Sequence, residues 1–319
     1  MKSKDKDKTP EKIEETNREL FKFASGVAQA QRFFPEVQPA WKEFSKKIIS
    51  EFADKINSLF AEDFKIDEEV RAPASATQSV MGRAYVYLCN ARHLFAKNQS
   101  QMQPEKSIKY GRFAERYVTD SILFFRPKSW ELLIYNAFAN FFENSPESAK
   151  SHLNERDIQL KFDGEDALQF VYTVLLIENA DRPYQLDSIF RVLVIHPSFP
   201  EEGEEREKHF EKQFAKADLI FQQCINWQPE DGHEAFLINI AKLCHFFAIF
   251  QPILSGNSAI VEWMIRGIAK NKGLELGPFN WGELGWDLKA FVTPNVDDYV
   301  EWFVQSALPD FAPSSPKPG

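Results

Sequence analysis

The sequence has few cysteines and no long apolar run. Its cysteines, Cys89, Cys224 and Cys244, are widely spaced among apolar residues, so neither a disulfide framework nor a zinc site is indicated and a reducing compartment is expected. No apolar stretch approaches the roughly 20 residues of a membrane span. The first twenty residues lack the apolar region of a signal peptide, and Lys2 is not the glycine that N-myristoylation needs. We therefore expect no membrane anchor and no conventional signal peptide.

The usual catalytic signatures are also missing. The sequence has no Gly-x-Ser-x-Gly elbow, no Walker loop, no dinucleotide glycine fingerprint and no His-Glu-x-x-His. Among the scattered histidines, His245 is predicted to be a hydrogen-bonded core residue. His196, at the end of a predicted strand, is expected to be better exposed and is a candidate general base.

Positive charge is scarce. The net charge of −9 and the pI near 5.4 argue against a general nucleic-acid or anionic-membrane binder, although an acidic protein can hold one local basic pocket. The 30 phenylalanines favour a dry, well-filled core. We expect a monomer without a metal or a tightly bound cofactor.

Helical spacing of apolar residues dominates the pattern, so the predicted fold class is mainly α. Residues 1–15 and 309–319 are predicted to be disordered tails around a single domain spanning 16–308. Two apolar, β-branched runs, 168–177 and 188–195, predict a small β-hairpin, which we place in a smaller part of the domain, about 150–215. The predicted helices are two between Glu19 and Phe60, then Ser75–Ala96, Trp130–Phe142, Arg206–Trp227, Glu234–Phe250, Ser258–Gly273 and Val296–Ala307.

The stretch between two of these helices carries anion-binding chemistry. It reads Phe250-Gln-Pro-Ile-Leu-Ser-Gly-Asn-Ser258, and Ser258 is predicted to cap the second helix. Loop amides and a helix N-terminus favour a bound phosphate. The alternative is a tight interhelical turn with a good cap. The candidate anion-binding residues are Gln251, Ser255, Gly256, Asn257 and Ser258.

A cluster of cations precedes the predicted hairpin. Arg side chains pair with phosphate oxygens, often in bidentate fashion, which makes the segment 110–129 a second part of the candidate site. The alternative is that Arg116 and Arg126 form internal ion pairs with Glu115, Asp120 or Glu131. The candidate residues are Arg112, Arg116, Thr119, Ser121, Arg126 and Lys128.

Asp287 follows a glycine-containing turn and precedes Leu288. It is a candidate carboxylate of the pocket. A turn or cap residue is the alternative.

The loop resembles an altered Fic motif. The Fic family has His-Pro-Phe-x-x-Gly-Asn-Gly-Arg between two helices, whereas this chain has Gln251-Pro252-Ile253-x-x-Gly256-Asn257-Ser258-Ala259. The catalytic His and the phosphate-binding Arg of that motif are both absent. A closer resemblance is to the AvrB family of bacterial effectors, which has a Fic-like fold. The similar stretches are Gly256 through Phe279, Asp287-Leu288-x-Ala290, Tyr110-x-x-Phe113-Ala114, Arg126-Pro127 and Leu186 through Val192.

This resemblance implies a bilobal protein with a Fic-like helical core. It implies transfer of a sugar, a deoxyhexose such as rhamnose, from a UDP- or dTDP-linked sugar to a hydroxyl of a host protein. It also implies a secreted effector that acts in the host cytoplasm, with Asp287 in the ligand pocket. AvrB-type proteins have an Arg before the loop glycine where this chain has Ser255, so Arg126 or Arg116 is expected to contact the phosphate instead.

Two other functions remain open. Loss of the motif His and Arg fits a catalytically inactive scaffold that binds a nucleotide or a protein. Residual nucleotidyl transfer is the third hypothesis, although Gln251 cannot act as a base at neutral pH.

Overall fold

A computed structural model describes residues 38–58, 68–98, 104–125, 153–160, 170–178, 188–280 and 283–311, together with parts of 134–141. These residues are mainly helical, as the sequence predicts. The predicted tail 1–15, and residues 312–319 of the other, lie outside this part of the chain.

Along the chain, three of the described α-helices precede the strands and five follow them. Residues 134, 136–138 and 140–141 are helical as well, within the predicted helix Trp130–Phe142. The bounds are α1 Gln38–Lys55, α2 Val80–Lys97, α3 Pro104–Ser107, α4 Gly203–Asn226, α5 His233–Ile249, α6 Asn257–Asn271, α7 Trp286–Val292 and α8 Val296–Trp302.

Helix α5 lies at the centre of the core. Its residues from Phe236 to Ile249 are mostly apolar and mostly buried, and a helix that is apolar all round must be enclosed. It packs against α4, α6, α7 and α8. Phe247 stacks on Tyr85 of α2, with ring centroids 4.9 Å apart. The helix that precedes the interhelical loop is therefore fixed from several sides.

Helices α1 and α6 cross closely at a glycine. A Cβ atom on Gly267 would lie 2.3 Å from Cδ1 of Phe52, so any larger residue requires the Phe52 ring or one of the two helices to shift. Gly273 follows α6 with φ of +73°, the left-handed conformation predicted to end this helix.

The β element is larger than the two-stranded hairpin expected from the sequence. Its strands are β1 Thr119–Phe125, β2 Leu153–Leu160, β3 Phe170–Glu178 and β4 Ser188–Ile195. They form an antiparallel sheet in the order β1-β4-β3-β2, in which β3 and β4 are the central strands. The pattern missed β2 because its sequence, Leu-Asn-Glu-Arg-Asp-Ile-Gln-Leu, is largely polar, and it missed β1 because that segment was interpreted through its charges.

One end of the sheet joins the helical core. Val192 and Val194 of β4 are fully buried, and Val118, just before β1, is 5% exposed. All three belong to the same apolar cluster as the helices. This contact places the chain that enters β1 beside the helices.

Several predicted helix ends need correction. Helix α2 begins at Val80 rather than near Ser75, because Ser79 caps it by accepting the Gly82 N–H at 2.9 Å. Leu94, expected on its inner face, is 53% exposed. The last helix is α-helical only to Trp302 and continues as a π-helical turn, Phe303–Ala307. No helix in the described part of the chain is long and apolar enough to cross a membrane.

Candidate functional site

The interhelical loop (residues 250–256) lies against residues 110–114. Gly111 N donates to Ser255 O at 3.0 Å, Leu254 N donates to Arg112 O at 2.9 Å, and Ala114 N donates to Pro252 O at 2.9 Å. The two stretches that the sequence singled out for anion binding are thus joined by backbone hydrogen bonds.

Helix α6 begins without a side-chain cap. Gly256 takes the N-cap position with φ of +89°, a conformation that glycine adopts readily. Ser258 was predicted to be the cap, and this is wrong: it is the second residue of α6, and its hydroxyl donates to Asp287 Oδ2 at 2.7 Å. The first-turn N–H groups and the positive end of the helix dipole are therefore not neutralised by a capping side chain.

The side chain of Asn257 forms hydrogen bonds within the core. It is 3% exposed, its Nδ2 donates to Phe247 O at 2.6 Å, and its Oδ1 accepts the Tyr85 hydroxyl at 2.6 Å. Asn257 therefore links α6 to α5 and α2. The side chain of this predicted anion-binding residue is therefore already occupied by protein partners.

Asp287 lies at the start of the site helix α6, although 29 residues separate it from Ser258. It is partly buried in the first turn of α7, and its Oδ1 accepts the Leu288 N–H at 2.9 Å. The structure thus brings the predicted pocket carboxylate to the predicted loop.

A buried ion pair lies one turn further along α6. Glu262 Oε1 accepts Nε and Nη2 of Arg266, each at 3.2 Å, and Arg266 Nη1 donates to Gly277 O at 2.7 Å. Burial raises the pKa of Glu262 to about 7, against the lowering effect of Arg266, and the nearby Asp287 charge adds to the rise. The acidic groups near the site therefore oppose one another's ionisation.

Arg92 is a site residue that sequence reasoning missed. It is 8% exposed, and its guanidinium lies 4.0 Å from the Tyr110 ring centroid and 4.9 Å from that of Trp41. Its Nε and Nη1 have no hydrogen-bond partner among the described residues. Burial lowers the pKa of Arg92 to about 10, so the side chain stays charged at neutral pH.

The ring contacts around Arg92 do not offset the free-energy cost of burying its charge. Burying an unpaired cation costs on the order of several kcal/mol, whereas a cation–π contact returns about 0.5–2 kcal/mol. Its spacing from Tyr85 and Leu88 puts it on the buried stripe of α2. An arginine on such a stripe is uncommon, and this is the signal that would have found it.

The cations predicted to bind phosphate are placed less favourably. Arg112 is partly buried with Nη2 3.2 Å from Glu115 Oε1, and the exposed Arg116 lies 3.3 Å from Glu201 Oε1. Arg116 therefore takes the ion-pair alternative, with a partner that was not foreseen. The pair between Arg112 and Glu115 was not foreseen either. Exposed pairs contribute about 0–1 kcal/mol, so a ligand can displace them.

The other predicted residues of this segment are less informative. Thr119 is exposed at the start of β1, and the backbone of Ser121 pairs with that of Leu193. Arg126 and Lys128 lie outside the described residues.

His196 is not exposed, contrary to expectation. It is 2% exposed, its ring lies 5.5 Å from that of Phe291, and its Nδ1 is 3.1 Å from Ile249 O. A ring nitrogen at that distance from a carbonyl carries the proton. Enclosure between β4 and the helices makes His196 a poor general base, although its contact at Ile249 adjoins the interhelical loop.

His245 is a core residue, as predicted. It is fully buried, and its Nε2 lies 2.9 Å from Thr293 O. Burial lowers its pKa to about 4.

No protein-family model matches this chain, and no curated protein sequence matches it. Cys89, Cys224 and Cys244 are free and buried. Within the described ranges, no group of three or more His, Cys, Asp or Glu side chains is arranged to hold a metal ion.

Proposed function

We propose that this chain binds the diphosphate of a nucleotide sugar at the N-terminus of α6 and transfers the sugar to a hydroxyl of a host protein, as its resemblance to the AvrB family implies. The observation that carries the proposal is the 2.7 Å contact between Ser258 Oγ and Asp287 Oδ2. It sets a carboxylate beside an uncapped helix N-terminus. In this proposal the anion site and the proton acceptor lie within one turn of each other.

The chemistry needs these two features together. The bond between the sugar C1 and the diphosphate oxygen breaks, and its electron pair remains on the diphosphate. The helix dipole and the first-turn N–H groups of α6 stabilise that developing negative charge. The acceptor oxygen bonds to C1, and its proton passes to Asp287, whose carboxylate also supports the positive charge that builds up on the sugar.

The same proposal gives the molecule a bilobal, Fic-like organisation. The helices carry the site, and the region of about 150–215 forms the smaller lobe. The co-substrate is a UDP- or dTDP-linked sugar, and the setting is a monomeric effector secreted into the host cytoplasm.

The test separates binding from transfer. Calorimetry with UDP- and dTDP-sugars is compared with sugar transfer to lysate proteins, for the wild type, Asp287→Asn and the control Asp297→Asn, which lies exposed in the first turn of α8. Asp287→Asn should retain nucleotide-sugar binding and lose transfer by about 100-fold or more, as loss of acid–base catalysis does. Absence of binding at millimolar concentration would refute the proposal, as would undiminished transfer by Asp287→Asn.

A second function, an inactive scaffold, is supported by Gln251. This residue stands where the Fic motif has its histidine, is 8% exposed, and offers no basic group. A scaffold would bind nucleotides or a host protein and would show no turnover in the transfer assay.

Residual nucleotidyl transfer is tested by incubation with labelled ATP and a lysate, and an unlabelled protein fraction would exclude it.

A further inference from the structure

Arg92 is a buried cation beside the N-terminus of α6, on a different helix from the loop. A Cβ atom built on Gly256 would lie 3.0 Å from Arg92 Nε and 3.2 Å from Cδ1 of Tyr110. The guanidinium therefore adjoins the residue at which α6 begins. Glycine at this position leaves room for that approach.

The surroundings of Arg92 leave two of its three guanidinium nitrogens without a hydrogen-bond partner among the described residues. Tyr110 and Trp41 lie near the guanidinium, and ring contacts of this kind attract the charge without accepting the N–H groups in ordinary hydrogen bonds. No carboxylate in the described part of the chain forms an ion pair with Arg92. Nε and Nη1 are buried and have no partner there. An anion at the start of α6 would provide one.

We propose that Arg92 and the first-turn N–H groups of α6 form one binding site for a phosphate or diphosphate group. Ser255, the residue before Gly256, supplies no charge. Nη2 of Arg112 lies 3.2 Å from Glu115 Oε1 and only its Nε is buried without a partner among the described residues, whereas Arg92 has two such nitrogens. Arg92 thus supplies the positive side chain of the site and the helix supplies the aligned N–H groups. The identity of the ligand as a nucleotide sugar rests on the proposed function, whereas the binding of the phosphate group does not.

The test measures binding of inorganic pyrophosphate and of UDP to the full chain by calorimetry at low ionic strength. Arg92→Met keeps an unbranched side chain between the rings and removes the charge. Arg92→Lys keeps the charge and removes the planar fork. Arg83→Met is the matched control, because Arg83 lies on the same helix and donates to Thr77 O and Gln78 O instead.

Arg92→Met should weaken binding of both ligands by about 10- to 100-fold, the range for a lost hydrogen bond to a charged group. Arg92→Lys should show a smaller loss, and Arg83→Met none. The melting temperature of Arg92→Met should not fall, because an unpaired buried charge is removed. If Arg92→Met does not fold, Arg92→Lys decides: a loss of about 3-fold or more supports the site, and unchanged binding overturns it.

Two further results overturn the inference: no pyrophosphate or UDP binding by the wild type at millimolar concentration, or equal binding by the wild type and Arg92→Met. Failure of the proposed function gives a different pattern. Diphosphate binding that depends on Arg92, with no sugar transfer, supports the site and refutes the transferase. Sugar transfer that is unchanged in Arg92→Met supports the transferase and refutes the role of Arg92 in the site.

Discussion

Asn257 shows how one polar side chain can fix the start of a helix. Its amide donates to Phe247 O and accepts from the Tyr85 hydroxyl, both at 2.6 Å in the buried core. The three groups satisfy one another, so none of them is left unpaired in the buried core. The interhelical loop is therefore anchored at its second end by a core interaction.

Replacing Asn257 with Ala should lower the free energy of unfolding by about 2–4 kcal/mol, because a buried hydroxyl and a buried carbonyl both lose their partner. Urea denaturation measures the loss. The control is Asn271→Ala, which removes one partly buried hydrogen bond to Ala53 O at 2.9 Å and should cost about 1 kcal/mol. Equal losses in the two variants would contradict the core role of Asn257.

The lowered pKa of His245 predicts that the fold loses stability in acid. Its pKa is about 4 in the folded chain, against 6.5 for an ordinary histidine. Between pH 6.5 and pH 4, His245 therefore binds a proton in the unfolded chain but not in the folded chain. The contribution of His245 to stability is complete above pH 6.5, falls as the pH drops towards 4, and is constant below that.

A His245→Gln variant should lose less stability than the wild type between pH 7.5 and pH 4.5. Gln cannot titrate but can still donate to Thr293 O. The difference between the two chains should approach at most about 3 kcal/mol. Urea denaturation at both pH values measures it. The raised pKa of Glu262 makes the fold more stable in acid. Because Glu262 is present in both chains, its contribution cancels in the difference between them. Parallel pH profiles would show that His245 does not carry this sensitivity.

At the scale of elements, the crossing of α1 and α6 determines the course of the site helix. Gly267 lies against Phe52 with no space for a Cβ atom. Helix packing of this kind is sensitive to added volume, because side chains in a core have few places to move. The position of the α6 N-terminus thus depends on a contact ten residues along the helix.

The substitution Gly267→Ala should lower the free energy of unfolding by about 1–3 kcal/mol, although Ala is intrinsically the better helix former by about 1 kcal/mol. Thermal or urea denaturation measures the change. The double variant Gly267→Ala with Phe52→Leu should lose less than the sum of the single variants, since the two residues are in contact. A more stable Gly267→Ala would show that helix propensity, and not packing, decides at this position.

At the scale of the whole molecule, the core encloses every cysteine of the chain. Cys89, Cys224 and Cys244 lie on α2, α4 and α5, and burial raises the pKa of each thiol. A thiol reacts through its thiolate. Folding therefore suppresses the reactivity of all three in two ways, by enclosing the sulfur and by keeping it protonated.

The native chain should show no rapid thiol reaction with Ellman's reagent at pH 8, and all three thiols should react in denaturant. The reaction rate at rising urea concentrations reports opening of the core. Buried Cys224→Ala should remove one reactive thiol in denaturant without creating a fast one in the native state. Fast native labelling of any thiol would reveal local opening at that helix.

The apolar sequence pattern was sufficient to predict α5, α6 and the two central strands, because each is a long segment with a marked apolar spacing or an apolar, β-branched run. The same rule failed for β2, whose residues are mostly polar. The capping rule failed at Ser258, because a hydroxyl near a helix start was assumed to cap that helix. In the structure, the Ser258 hydroxyl instead donates a hydrogen bond to Asp287, a partner that the local sequence cannot indicate.

The sequence by itself determined the mainly helical core, the Gly256–Asn257 turn and the absence of familiar catalytic signatures. These follow from local spacing and backbone conformation. Only the tertiary structure decided which charged groups meet at the turn. Arg92, Tyr110, Gly256 and Asp287 come from four separate stretches of the chain, and packing around α5 brings them together. Electrostatic interactions depend on distance and burial, and neither is encoded at any single position.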